Sequence, residues 1–64
     1  MNVRIQVSRD RRVETERELS DCAGSQPKYE DDGSLVYKFN SREFGSLFLA
    51  NARVTAGVTK VMEA

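Results

Sequence analysis

The 64-residue chain contains no histidine and no tryptophan, and only one cysteine and one proline. Without histidine there is no imidazole to act as a base near neutral pH or to complete a Cys/His zinc site, and one cysteine cannot build a disulfide framework. Long apolar runs are missing too. The longest, Leu47-Phe48-Leu49-Ala50, is far shorter than the ~20 residues of a membrane span. The first residues alternate polar and aliphatic side chains where an export signal needs an apolar core of about seven or more. These absences lead us to expect a cytoplasmic protein that uses no metal, no cofactor and no membrane.

What is present is 39% apolar and 31% charged, enough core material for one small domain over residues 1–64. At this length a fold hides about 60% of the surface its unfolded chain exposes. The net charge of zero conceals three blocks. Residues 1–12 carry four arginines against one aspartate. Residues 13–32 carry Glu14, Glu16, Glu18, Asp21, Glu30, Asp31 and Asp32 against Arg17 and Lys28, and residues 33–64 return to a small positive excess. An uneven field of this kind steers charged partners but does not specify a fold.

Val3, Ile5 and Val7 alternate with polar residues and predict a half-buried strand over 2–8. Val58, Lys60 and Met62 against Thr59, Val61 and Glu63 predict a second strand whose inward face the pattern leaves open. The firmest element is a helix from about Asn40 to Thr55. Asn40 is placed as its cap, with Glu43 completing a capping box, Phe39 and Phe44 forming a hydrophobic staple, and Gly57 ending it. Phe44, Leu47, Phe48 and Val54 form its apolar stripe. Asp32-Gly33 predicts a two-residue type I′ turn joining strands over 27–31 and 34–39, which sets Tyr29 across from Val36 and Lys28 across from Tyr37. Residues 10–24 read as helix, with Asp10 as cap and Gly24 as stop, against a weaker strand reading over 12–19. The resulting order is β-α-β-β-α-β, the split βαβ arrangement of ferredoxin-like α+β sheets with helices on one face. The alternative order is β-β-β-α-β.

No motif carries catalysis. Paired carboxylates work as acid and base only when a partly desolvated site drives their proton affinities apart, and the acids here fall on an exposed helix and a turn. Leu35 and Tyr37 occupy positions where a calcium loop after Asp31-Asp32-Gly33 needs oxygen ligands. Gly24, Gly33, Gly45 and Gly57 are too scattered for a phosphate loop. Cys22, near carboxylates and without a base, reads as a partly buried small hydrophobe. Tyr37 and Phe39 resemble base-stacking aromatics of RNA-binding sheets, but a domain this small needs them in its core.

We therefore expect a non-catalytic interaction protein, monomeric or homodimeric. It docks on a larger basic, nucleic-acid-handling protein through Glu14, Glu16, Glu18, Asp21, Glu30, Asp31 and Asp32. A carboxylate row of this kind competes for phosphate sites, as an inhibitor of the anti-CRISPR type carried by viruses and mobile elements would. Two alternatives stand beside it: a weak nucleic-acid binder using Arg4, Arg9, Arg11, Arg12 and Lys38, and a homodimer joined through an exposed edge strand.

Overall fold

In the computed structural model, which describes residues 1–64, strand β1 (Asn2–Val7) leads through a 3-10 turn (Arg9–Arg11) into helix α1 (Arg12–Ala23). Strands β2 (Lys28–Tyr29) and β3 (Leu35–Lys38), helix α2 (Arg42–Arg53) and strand β4 (Val58–Glu63) follow. The strands form one antiparallel sheet in the order β2-β3-β1-β4. The protein is thus a small α+β domain of four strands and two helices, and no helix is long and apolar enough to cross a membrane.

The alternation in β1 is realised directly. Val3 and Ile5 are fully buried, as are Leu35 and Tyr37 opposite them on β3. Leu19 of α1 and Phe48 and Ala52 of α2 close the same core, so both helices lie on one face of the sheet. Phe48 packs between Tyr37 and Phe39, each ring centroid 4.9 Å from its own, with the ring planes tilted by 53° and 41°. Burying such a side chain contributes about 1.5–3 kcal/mol.

Residues 10–24 settle as helix, buried through Thr15, Leu19 and Ser20, while Val13 faces solvent. Asp10 does not cap it. The chain enters α1 through the 3-10 turn, where the Arg11 N–H donates to the Ser8 carbonyl at 3.3 Å, and no side chain caps the start. Gly24 does stop it, in the left-handed region with its N–H on the Ser20 carbonyl.

The start of α2 lies one residue later than the sequence pattern predicts. Backbone pairing holds the chain extended through Phe39, whose N–H donates to the Met1 carbonyl at 2.8 Å while its own carbonyl accepts from the Met1 ammonium at 2.8 Å. Asn40 is then spent on the bend, and Ser41 caps, its hydroxyl accepting from the Glu43 and Phe44 N–H groups. With Ser41 as cap, Glu43 and Phe44 are no longer placed for a capping box or a staple. The helix ends at Arg53, and Gly57 lies beyond it at φ 92° in the turn before β4.

The β2–β3 hairpin also departs from expectation. The only residues with positive φ are Gly24, Gly33 and Gly57, which excludes a type I′ turn, because that turn needs positive φ at both central residues. Instead the Gly33 N–H donates to the Glu30 carbonyl at 3.0 Å and the Glu30 N–H to the Ser34 carbonyl at 2.9 Å. Asp31, Asp32 and Gly33 make a three-residue loop with Gly33 at φ 90°, the usual alternative to the two-residue turn. The register therefore moves by one. Lys28 faces Val36 and Tyr29 faces Leu35, and a one-residue slip exchanges the two faces of a strand.

In β4, a register shift where Gln6 meets Lys60 and Val7 meets Val58 leaves Thr59 as an extra residue. Its hydroxyl donates to the Gln6 carbonyl at 3.2 Å. This bulge lets Val58 and Val61 both pack against the core while Lys60 and Met62 turn to the other face, resolving the ambiguous parity.

Candidate functional site

The two faces of the domain differ in chemistry. On the helix side, α1 and α2 bury Leu19, Phe48 and Ala52 between them. Along the flank of this groove α2 exposes Phe44 (68%) and Leu47 (63%), followed by its C-cap residue Val54 (85%). They share one side of α2, next to the buried line of Gly45, Phe48 and Ala52, since a helix turns 100° per residue. The expected apolar stripe was thus one side too broad: Phe48 is core and the other three are surface. These three large apolar groups are gathered on one ridge rather than scattered singly over the surface.

Facing them across the groove is α1. Glu18, Leu19 and Cys22 line its wall with Phe48, Asn51, Ala52, Val54 and Thr55 opposite. Cys22 is exposed and free rather than half-buried, and the Asn51 side-chain amide donates to its Sγ at 3.9 Å. Glu14, Glu18 and Asp21 occupy the outward ridge of α1, all exposed, with Arg17 beside them.

The other acidic residues have separate duties. Glu16 accepts a hydrogen bond from the Tyr29 hydroxyl, which raises the Tyr29 pKa above its ordinary value, with desolvation adding to the effect. Glu30 pairs with Arg4 at 3.1 Å. The Asp32 carboxylate accepts from the Ser34 N–H at 2.9 Å, and that bond holds its pKa below the usual carboxylate value. Asp31 is exposed at the loop tip. Of the seven acidic candidates, then, the fold exposes Glu14, Glu18 and Asp21 along the outer ridge of α1, with Glu18 alone of the three lining the groove, and assigns Glu16, Glu30 and Asp32 to holding the hairpin. No three acidic or thiol side chains converge as metal ligands would.

The opposite sheet face carries no helix. The register places Asn2, Arg4 and Gln6 of β1, Val36 and Lys38 of β3, Lys28 of β2, and Lys60 and Met62 of β4 on it. Sequence reasoning found Arg4 and Lys38. It missed Lys28, which the hairpin slip moves to this face, and Lys60, which the bulge places there. Arg9, Arg11 and Arg12 lie off the sheet, around the start of α1. Arg12 is engaged there, donating to the Gly33 carbonyl at 2.9 Å.

The chain matches no protein-family model, no curated protein and no solved structure.

Proposed function

We propose that the protein is a non-catalytic interaction module that docks through its helical face on a larger basic, nucleic-acid-handling protein, blocking it as an inhibitor of the anti-CRISPR type would. The observation that carries this reading is that the Phe44, Leu47 and Val54 ridge and the Glu14, Glu18 and Asp21 ridge are both exposed on the helical side of the sheet, with Glu18 and Val54 lining the groove between the helices. Apolar anchors supply binding energy when a partner covers them, and a carboxylate rim speeds encounter with a basic surface and selects for it. The strand order β2-β3-β1-β4 with two helices on one face supports placing this module on a ferredoxin-like scaffold, and an exposed free thiol at Cys22 suits a reducing, cytoplasmic compartment.

A photo-crosslinking residue placed at Leu47 tests the reading, with one at Lys28 on the sheet face as the control. The Leu47 position is expected to capture a basic protein, with capture falling as salt rises because exposed charges are screened within about 8 Å at physiological ionic strength. Glu14→Lys with Glu18→Lys, and separately Phe44→Ser with Leu47→Ser, are each expected to abolish capture while circular dichroism stays unchanged. Capture from Lys28 alone would overturn the helical-face assignment.

A further inference from the structure

All three lysines of the chain, Lys28, Lys38 and Lys60, belong to the uncovered sheet face, while the exposed carboxylates Glu14, Glu18 and Asp21 lie on the helix side. A chain of zero net charge is therefore polarised front to back. The pairing registers arrange the cations in a line. Lys38 lies opposite Asn2, Arg4 opposite both Val36 and Met62, and Lys60 opposite Gln6. Lys38, Arg4 and Lys60 thus sit on successive strands, each displaced two residues from the last, on a diagonal across β3, β1 and β4. With about 4.8 Å between strands and about 3.3 Å per residue, successive positions fall about 8 Å apart. Lys28, across from Val36, flanks one end of the line.

We propose that this diagonal is a binding surface for the phosphate backbone of single-stranded nucleic acid, separate from the helical docking face and independent of it. A straight file of cations complements a linear polyanion whose charges recur at a similar interval. The face is a sheet surface with no protruding helix or ribbon to enter a duplex groove, the element that duplex readers use. Its aromatic neighbours are unavailable for stacking. Tyr29 and Tyr37 point to the helix side, where they bond Glu16 and Ser20, and Phe39 packs on Phe48. Recognition is therefore of the backbone alone, without sequence preference. Glu30 moderates it: its carboxylate holds Arg4 at 3.1 Å, and the Arg4 Nε is buried without a partner, so the central cation of the line is only partly free.

Fluorescence anisotropy with a labelled oligothymidylate, measured over a salt series from low to physiological ionic strength, tests this. Three to four phosphate contacts on a single strand give a slope of log affinity against log salt of about −2 to −3. Lys28→Gln, Lys38→Gln and Lys60→Gln combined are expected to reduce affinity at least tenfold at low salt and flatten the slope toward zero. Glu30→Gln, which releases Arg4, is expected to raise affinity at least twofold, an effect that loss of structure would not produce. Leu47→Ser, on the helical face, is expected to leave binding unchanged, so failure of this proposal and failure of the docking reading are distinguishable. Absence of binding at low salt, an unchanged triple variant with folded circular dichroism, or tighter binding to duplex or to inorganic polyphosphate at matched phosphate concentration would overturn it.

Discussion

The hydroxyls of Ser20 on α1 and Tyr37 on β3 meet 2.8 Å apart inside an otherwise apolar core. Tyr37 is fully buried and Ser20 is 9% exposed, the phenol also reaches the Glu16 carbonyl at 3.5 Å, and the pair ties α1 to the sheet. Tyr37→Phe strands the Ser20 hydroxyl and is expected to lower stability by about 1–3 kcal/mol. Ser20→Ala with Tyr37→Phe removes both partners and is expected to recover part of that loss. Urea denaturation of the wild type, the two single variants and the double variant measures the coupling, and strict additivity would show that the hydroxyls do not interact.

The same tyrosine sets an alkaline limit. Burial raises the Tyr37 pKa above its ordinary value of 10.0, opposed by the bond to Ser20, so the folded state favours the neutral phenol. A raised folded value means that the contribution is fully present below the unfolded tyrosine value and is lost as pH climbs through the folded one. Tyr29, raised by its bond to Glu16, acts in the same direction. The urea midpoint of the wild type is expected to fall steeply above about pH 10, and that of Tyr29→Phe with Tyr37→Phe to fall less. Equal slopes would contradict the assignment.

Gly57 is required by both its backbone and its neighbours. At φ 92° it occupies a conformation that side chains rarely adopt, and a Cβ there would clash with Thr15 Oγ1 and stand 3.2 Å from the Arg11 Cβ. Thr15 itself is buried and donates to the Ala56 carbonyl at 3.1 Å, so the turn before β4 is bonded directly to α1. Gly24, at φ 70° with open space around it, faces only the backbone cost. Gly24→Ala is expected to lower stability by about 1–2 kcal/mol. Gly57→Ala, which adds overpacking, is expected to lower it by about 2–5 kcal/mol. Thermal melts that rank the two variants in the reverse order would show that the turn moves freely away from Thr15.

Much of the fold was legible because it rests on local patterns. The alternation of Val3, Ile5 and Val7 needs no tertiary information, and the helix over residues 42–53 carries its own apolar periodicity. The hairpin register was not legible, because Asp32-Gly33 serves a two-residue and a three-residue loop equally well. Which of them forms depends on Tyr29 reaching Glu16 and on Lys28 leaving the helix side. Glu14, Glu18, Asp21, Asp31 and Asp32 are exposed while Glu16 and Glu30 are half-buried, and composition could not reveal that Glu30 is matched to Arg4 across the sheet, since the two are 26 residues apart. The groove was hidden for a related reason: apolar spacing marks a helix side but cannot say whether the sheet is wide enough to cover it.

Helix α2 offers the sharpest test of that last point, because adjacent residues have opposite fates. Phe48 is 4% exposed and packs on two aromatic rings, whereas Leu47 is 63% exposed. Phe48→Ala leaves a cavity in the only core the domain has and is expected to lower stability by about 3–5 kcal/mol, a large share of the roughly 3–10 kcal/mol available to a chain of this length. Leu47→Ala removes a group that solvent already surrounds, and alanine favours helix, so its effect is expected to stay within about 0.5 kcal/mol. If stability alone had shaped this helix, nothing would require a leucine at position 47 or a phenylalanine at 44. Chemical denaturation of Phe48→Ala, Leu47→Ala and Phe44→Ala separates the two roles: a large loss confined to Phe48 leaves the exposed ridge free to serve a partner, while comparable losses at all three would return Phe44 and Leu47 to the core.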